Sequence, residues 1–187
     1  MKPALGASRA RGWPVALALF TLLGMAGAAE ADKALILGTS VFGGTSSLEA
    51  AAALAALPSA STVDVVTPAL WAAMTLSDFQ KYRVIILGDP SCGSLSAVSA
   101  AEANASLWGK AVNGNVIVIG TDPVFHSGQG GSLLTSKGVA YAAAQPGKTG
   151  AYIALSCYYD SVSPGTPVPL LNDAFGSGLG SFQVSPK

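Results

Sequence analysis

Short apolar runs alternate with stretches of small residues between residues 33 and 158. Five runs are rich in β-branched or apolar residues and end at a glycine or a turn, as buried strands of a parallel sheet do. The predicted strands are Lys33–Gly38, Thr62–Val66, Val84–Gly88, Asn115–Gly120 and Ala151–Tyr158. Because the third and fourth runs are uninterrupted, we expect Ile86 and Val118 at their centres to be fully buried.

The segments between these strands predict helices. Ser46 followed three residues later by Glu49 is a capping box, and it opens an alanine-rich helix that ends before Pro58. Residues 94–112 and 132–144 predict two further helices. Strands that alternate with helices form right-handed βαβ units. The pattern therefore predicts the α/β class, a three-layer sandwich around a parallel sheet of strand order 2-1-3-4-5.

The first 31 residues have the layout of a secretory signal peptide. Basic residues precede an uncharged run over residues 12–29, and Ala29-Glu30-Ala31 follows as a cleavage site. We expect cleavage after Ala31, or after Ala29 as the second choice; an uncleaved membrane anchor is the alternative. The predicted location is secreted, periplasmic or at the cell surface.

Three parts are therefore expected: the signal peptide at 1–31, an α/β domain at 32–160 and an irregular tail at 161–187. Glycine and proline dominate the tail, and it shows no long periodic segment. We interpret it as an edge strand or as an interrupted continuation, in which case the chain is a fragment of a larger surface protein.

Charge excludes some partners. Only 11% of the residues are charged, and without the signal peptide seven basic residues face nine acidic ones, a net charge of −2. No basic patch is available for nucleic acid or for an anionic membrane surface. The expected partner is an extracellular ligand or protein, with no nucleic acid and, after signal cleavage, no membrane.

The chain has two cysteines, Cys92 and Cys157. Two thiols in one small exported domain are candidates for a disulfide. The sequence does not show whether their Cα atoms come within bridging distance. A disulfide and two separate free thiols both stay open.

The strand endings carry a resemblance to a known family. Leu37-Gly38, Leu87-Gly88-Asp89-Pro90 and Ile119-Gly120-Thr121-Asp122, with residues 76–82 before the third strand, resemble the flavodoxin-like domains of the class I glutamine amidotransferase superfamily. The likeness is greatest to secreted, poorly characterised bacterial members, and it covers roughly residues 33–158.

This resemblance implies a scaffold without amidotransferase chemistry. Catalytic members place a cysteine after the strand that corresponds to Asn115–Gly120, where this chain has Thr121-Asp122-Pro123. The later His-x-Glu pair of the family is absent as well, because His126 is the only histidine.

Three groups of residues are candidates for chemistry. Cys92 and His126 both follow predicted strand ends and could pair as nucleophile and base; a disulfide or a packed thiol is the alternative for Cys92. Asp89, Asp122 and His126 could gather around a cation, although aspartate in such turns commonly caps backbone amides. No metal-ligand spacing is recognisable.

The third candidate is an anion-binding loop. Gly43-Gly44-Thr45 precedes the capped helix, so free backbone amides and the helix dipole could hold a phosphate or carboxylate. The loop lacks the spacing of GxGxxG and the lysine of a P-loop, and a plain tight turn is the alternative.

These observations favour an exported, non-catalytic α/β module with a binding or structural role and no cofactor. The alternatives are a hydrolase that uses Cys92 and His126, or a metal-dependent enzyme that uses Asp89, Asp122 and His126.

Overall fold

The structure is a computed structural model that describes residues 32–185, so the predicted signal peptide lies outside the described residues. The strands are β1 Lys33–Leu37, β2 Thr62–Val66, β3 Val84–Leu87, β4 Val116–Ile119 and β5 Gly150–Ala154. The helices are α1 Leu48–Ala56, α2 Pro68–Ala73, α3 Leu76–Phe79, α4 Ser99–Ala103, α5 Ala105–Ala111, α6 Gly131–Ala142 and α7 Pro169–Leu179.

All five strands are parallel, and helices cover both faces of the sheet. The predicted α/β sandwich is therefore confirmed. The predicted order 2-1-3-4-5 is wrong in its last two strands, since the observed order is 2-1-3-5-4. β5 lies between β3 and β4, with Tyr152 beside Ile86 on one side and beside Ile117 on the other.

The strand order determines which helices cover each face of the sheet. Helices α2 to α5 and α7 pack on one face around Trp71, Trp108 and Phe175. Right-handed crossovers that move in one direction along the sheet, from β2 to β3 and on to β4, place α2 to α5 on the same face. Because β5 turns back beside β3, a right-handed crossover carries α6 to the opposite face, where it packs against α1.

Burial follows from the strand order. Ile86 on the central strand β3 is fully buried, as expected. Val118 is 38% exposed, so the prediction that it is fully buried is wrong. Its strand, β4, forms the edge of the sheet, whereas every residue of β5 is buried. A β-branched run thus identified a strand but not its position.

Two predicted elements differ from the structure. The helix expected over residues 94–112 is divided at Asn104, whose side chain accepts a hydrogen bond from Trp71 Nε1 at 2.9 Å. The tail was expected to be irregular but contains α7, which buries Leu170, Leu171 and Phe175 in the hydrophobic core on the face of the sheet that α2 to α5 cover. In the described part of the tail, up to residue 185, an isolated antiparallel bridge between Pro167 and Gln183 stands where a sixth strand was expected.

Between residues 32 and 185, no helix combines the length and the apolar character that a membrane span requires.

Candidate functional site

The loops after β3, β4 and β5 meet at the carboxyl edge of the sheet, where ligand sites of open α/β folds lie. They bring together five predicted residues: Asp89, Cys92, Asp122, His126 and Cys157.

The loop Gly43-Gly44-Thr45 does not join this group. It packs beside α1 and β2. β2 is the outermost strand on the side of the sheet away from β4 and β5. Gly43 and Gly44 have positive φ angles of 89° and 58°, and the carbonyl groups of both accept backbone hydrogen bonds within the turn. The geometry is that of a tight turn.

Asp89 links the loops after β3, β4 and β5 through hydrogen bonds. It is fully buried, and its Oδ1 accepts hydrogen bonds from Ser91 N–H at 2.8 Å and from Ser156 Oγ at 2.7 Å. Its Oδ2 accepts from Val124 N–H at 3.0 Å. Because both oxygens are engaged by donors from its own loop and the loops after β4 and β5, Asp89 acts as a structural cap. This geometry gives no support to Asp89 as a cation ligand.

A second buried carboxyl group, that of Glu49, contacts the backbone of Asp89. Glu49 Oε1 accepts a hydrogen bond from Asp89 N–H at 2.8 Å, and its Oε2 has no hydrogen-bond partner among the described residues. Burial raises the pKa of Glu49 from its ordinary 4.5 to about 7, opposed by the hydrogen bond from Asp89 N–H, and the nearby charge of Asp89 adds to the rise. Glu49 therefore changes protonation near neutral pH.

Sequence reasoning missed this role, because the spacing from Ser46 assigned Glu49 to a capping box. The structure places the helix cap one residue later. Ser47 Oγ accepts from Ala50 N–H at 3.1 Å, while the Glu49 side chain points to the end of β3 instead of back to the helix start.

Cys92 and Cys157 join the loops after β3 and β5. Their sulfur atoms lie 1.98 Å apart, a bonded distance, and their Cα atoms lie 4.8 Å apart, within the range of protein disulfides. Cys92 N–H donates to Ser156 Oγ at 3.1 Å, so Ser156 links both cysteine loops to Asp89. The bridge is possible because β5 adjoins β3.

The backbone at the bridge is unusual. Ser91, Cys92 and Ser156 have positive φ angles of 61°, 60° and 49°, a region that costs free energy for residues other than glycine. The hydrogen bonds of Asp89 and Ser156 hold these residues in place.

Asp122 lies between the sulfur pair and His126. Its side chain is nearly buried, with Oδ2 at 2.8 Å from Cys92 Sγ and 3.2 Å from Cys157 Sγ. Its Oδ1 lies 3.3 Å from His126 Nε2. The other ring nitrogen, His126 Nδ1, contacts Gln129 Oε1 at 2.8 Å. The imidazole thus faces a carboxylate, and the geometry gives no support to a Cys92–His126 nucleophile pair.

A cleft of about 390 Å³ opens beside this group. Its lining includes Thr121, Asp122, Ser156 and Cys157 together with the tail residues 183–185. The cleft therefore gives access from solvent to the carboxylate and the sulfur bridge.

The chain matches no family model, and no curated protein or solved structure matches it either.

Proposed function

We propose that the chain is an exported α/β module with a binding or structural role and no catalysis of its own. The observation that carries this proposal is the Cys92–Cys157 bridge, which cross-links two strand-end loops. Disulfides persist in oxidising compartments, so the bridge agrees with the export that residues 1–31 predict. We propose in addition that the domain is related to members of the class I glutamine amidotransferase superfamily that lack the catalytic triad.

The candidate catalytic groups are engaged in contacts that do not favour catalysis. A cysteine nucleophile acts as a thiolate, and the Cys92 sulfur is engaged in the bridge. Asp89 is engaged by three donors, and His126 faces Asp122. The cleft bordered by Asp122 and the tail is the binding face that we propose.

The test is an intact-mass measurement on the exported protein, with and without thiol alkylation. We expect a chain that starts at Asp32 or Glu30, is lighter than the reduced form by two hydrogens, and takes up alkylating reagent only after reduction. A full-length chain in the membrane fraction, or alkylation of both cysteines without reduction, would contradict export or the bridge respectively.

A second measurement addresses catalysis. We expect no turnover of amide or ester substrates by the oxidised or the reduced protein. Turnover that disappears in folded Cys92→Ser and in folded His126→Ala variants would overturn the proposal in favour of the hydrolase.

A further inference from the structure

The Asp122 carboxylate faces two sulfur atoms that carry no proton in the oxidised form. Asp122 is only 6% exposed, and its Oδ2 faces both sulfur atoms within 3.2 Å. A disulfide carries no proton, so in the oxidised form neither sulfur can donate to this oxygen. In the reduced form the two thiols can donate protons to this oxygen, or as thiolates they can share a cation with it.

The orientation of His126 is a second, independent observation. His126 Nδ1 lies 2.8 Å from Gln129 Oε1, and in the tautomer that carries its proton on Nδ1 the ring donates to this oxygen. In the neutral imidazole, Nε2 then presents a lone pair toward Asp122 Oδ1, at 3.3 Å. Either a second ring proton or a metal ion satisfies this pair of acceptors. Fixing one ring nitrogen by a hydrogen bond is also how proteins orient metal-binding histidines.

We propose that the reduced form of this site binds a thiophilic divalent metal ion of the Zn²⁺ class. The donors are the thiolates of Cys92 and Cys157, the carboxylate of Asp122 and the imidazole of His126. The sulfur atoms and the Asp122 oxygen already lie within 4.8 Å of one another. His126 is not part of this group of three; its Nε2 lies 3.3 Å from Asp122 Oδ1, so the ring has to turn toward the sulfur atoms to become the fourth ligand. Two sulfurs, one oxygen and one nitrogen make the four-ligand, tetrahedral set that zinc prefers.

The surroundings suit such a site. Thr121 Oγ1 lies 3.4 Å from Asp122 Oδ1, Gln129 orients His126, and Ser156 holds the backbone of Cys92. Partners of this kind fix metal ligands in their binding orientation. The cleft beside Asp122 and Cys157 provides the entry path for the ion.

Metal binding and the disulfide exclude each other, because both use the same two sulfur atoms. A phosphine or dithiol reductant supplies two electrons, and water or the dithiol supplies two protons, so that the bridge becomes two thiols; the metal ion then displaces both thiol protons. The oxidised protein is therefore a matched control with an identical sequence. The inference goes beyond the proposed function and does not depend on export.

The experiment uses the mature chain, reduced with a phosphine and titrated with Co²⁺ and then with Zn²⁺. We expect one Co²⁺ per chain, with thiolate-to-cobalt charge-transfer bands and tetrahedral d–d bands that disappear when Zn²⁺ is added. The oxidised protein and the Cys92→Ser and Cys157→Ser variants should lack the bands. Asp122→Asn and His126→Ala should each weaken Zn²⁺ binding by about 10–100-fold. Asp173→Asn, an exposed carboxylate on α7, should leave it unchanged.

Far-ultraviolet circular dichroism in the same titration monitors folding. If reduction loosens the fold, we expect Zn²⁺ to restore it, since an ion that binds only the folded form stabilises that form. The proposal fails if the reduced protein shows no cobalt–thiolate bands, or if it unfolds and Zn²⁺ does not restore it. It also fails if Asp122→Asn and His126→Ala bind Zn²⁺ as tightly as the parent, because the thiols alone would then account for binding.

Discussion

Ser156 Oγ donates a hydrogen bond of 2.7 Å to Asp89 Oδ1, although the two residues lie 67 positions apart in the chain. The bond joins the ends of two neighbouring strands, β3 and β5. Since Asp89 also accepts from Ser91 N–H and Val124 N–H, one buried carboxylate fixes the relative positions of three loops.

Replacement of Asp89 by alanine should therefore destabilise the fold. The change leaves three donors without their acceptor, of which the Ser156 hydroxyl is buried and the Ser91 and Val124 amides are half-buried. Since a buried unsatisfied donor costs about 1–3 kcal/mol and a half-buried one less, we expect a loss of about 2–3 kcal/mol in the free energy of unfolding. Urea denaturation measures it. The exposed Asp173→Ala on α7 is the control, with a change within about 0.5 kcal/mol. Equal stability of the two variants would rule out the role of Asp89 as the tie between loops.

Glu49 should make stability depend on pH. Its pKa is about 7 in the folded protein and 4.5 ordinarily, so between these values the folded protein holds a proton that the unfolded chain has released. Stability from this group is therefore present below about pH 4.5 and is lost as pH rises toward 7, by up to about 3 kcal/mol.

The Glu49→Gln variant isolates this contribution. Glutamine keeps an oxygen that can accept from Asp89 N–H and does not titrate, so we expect a flatter stability profile than that of the parent. Urea denaturation at roughly pH 5 and pH 8 provides the comparison. Parallel profiles for the two proteins would mean that Glu49 does not titrate in this range.

Ile86 and Val118 should respond differently to truncation. Ile86 is fully buried on β3, so Ile86→Ala removes buried methyl groups and leaves a cavity, at a cost of about 2–5 kcal/mol. Val118 is 38% exposed on the edge strand, so Val118→Ala should cost less than about 1 kcal/mol. Thermal unfolding of the two variants checks the strand order, since the order 2-1-3-4-5 would give similar, large losses at both positions.

Gly109 should be required for the docking of α7. A methyl group on Gly109 would overlap the carbonyl oxygen of Ala174 and lie 2.6 Å from its Cα, so Gly109→Ala must push α5 and α7 apart. We expect a loss of about 1–3 kcal/mol by denaturant unfolding.

The matched control is Gly178→Ala, in α7 itself. A methyl group there meets no atom of residues 32–185 within 4 Å, and alanine favours the helix, so stability should stay the same or rise slightly. If Gly109→Ala is as stable as Gly178→Ala, then α5 and α7 do not pack as closely as the structure indicates.

The strands and the layered class could be predicted because they depend on local periodicity. The neighbour of each strand could not, because hydrophobic residues mark β4 and β5 as strands without indicating which one adjoins β3. The pairing of Cys92 with Cys157 stayed open for the same reason. In the predicted order β4 would separate their loops, whereas in the observed order the loops are adjacent.

The proximity of several candidate residues could be predicted from the sequence, whereas their role as a site stays a prediction. Strand-end positions alone identified Asp89, Asp122 and His126, since the carboxyl ends of parallel strands share one edge. Glu49 was missed because its local spacing favours a helix cap, while its actual partner, Asp89, lies 40 residues away. The helix α7 was missed because Gly176 and Gly178 weaken its propensity, and packing against α5 compensates for that.

The position of β5 also sets the sequence in which the sheet can assemble as the chain emerges from the ribosome. β1, β2 and β3 can pair as soon as residue 87 is free, because each has its neighbour within that length. Among the described strands, β4 pairs with β5 alone, so it waits unpaired until residues 150–154 emerge. The strand that emerges last among the five then inserts between two that precede it, and the cysteine that closes the bridge follows three residues behind its end.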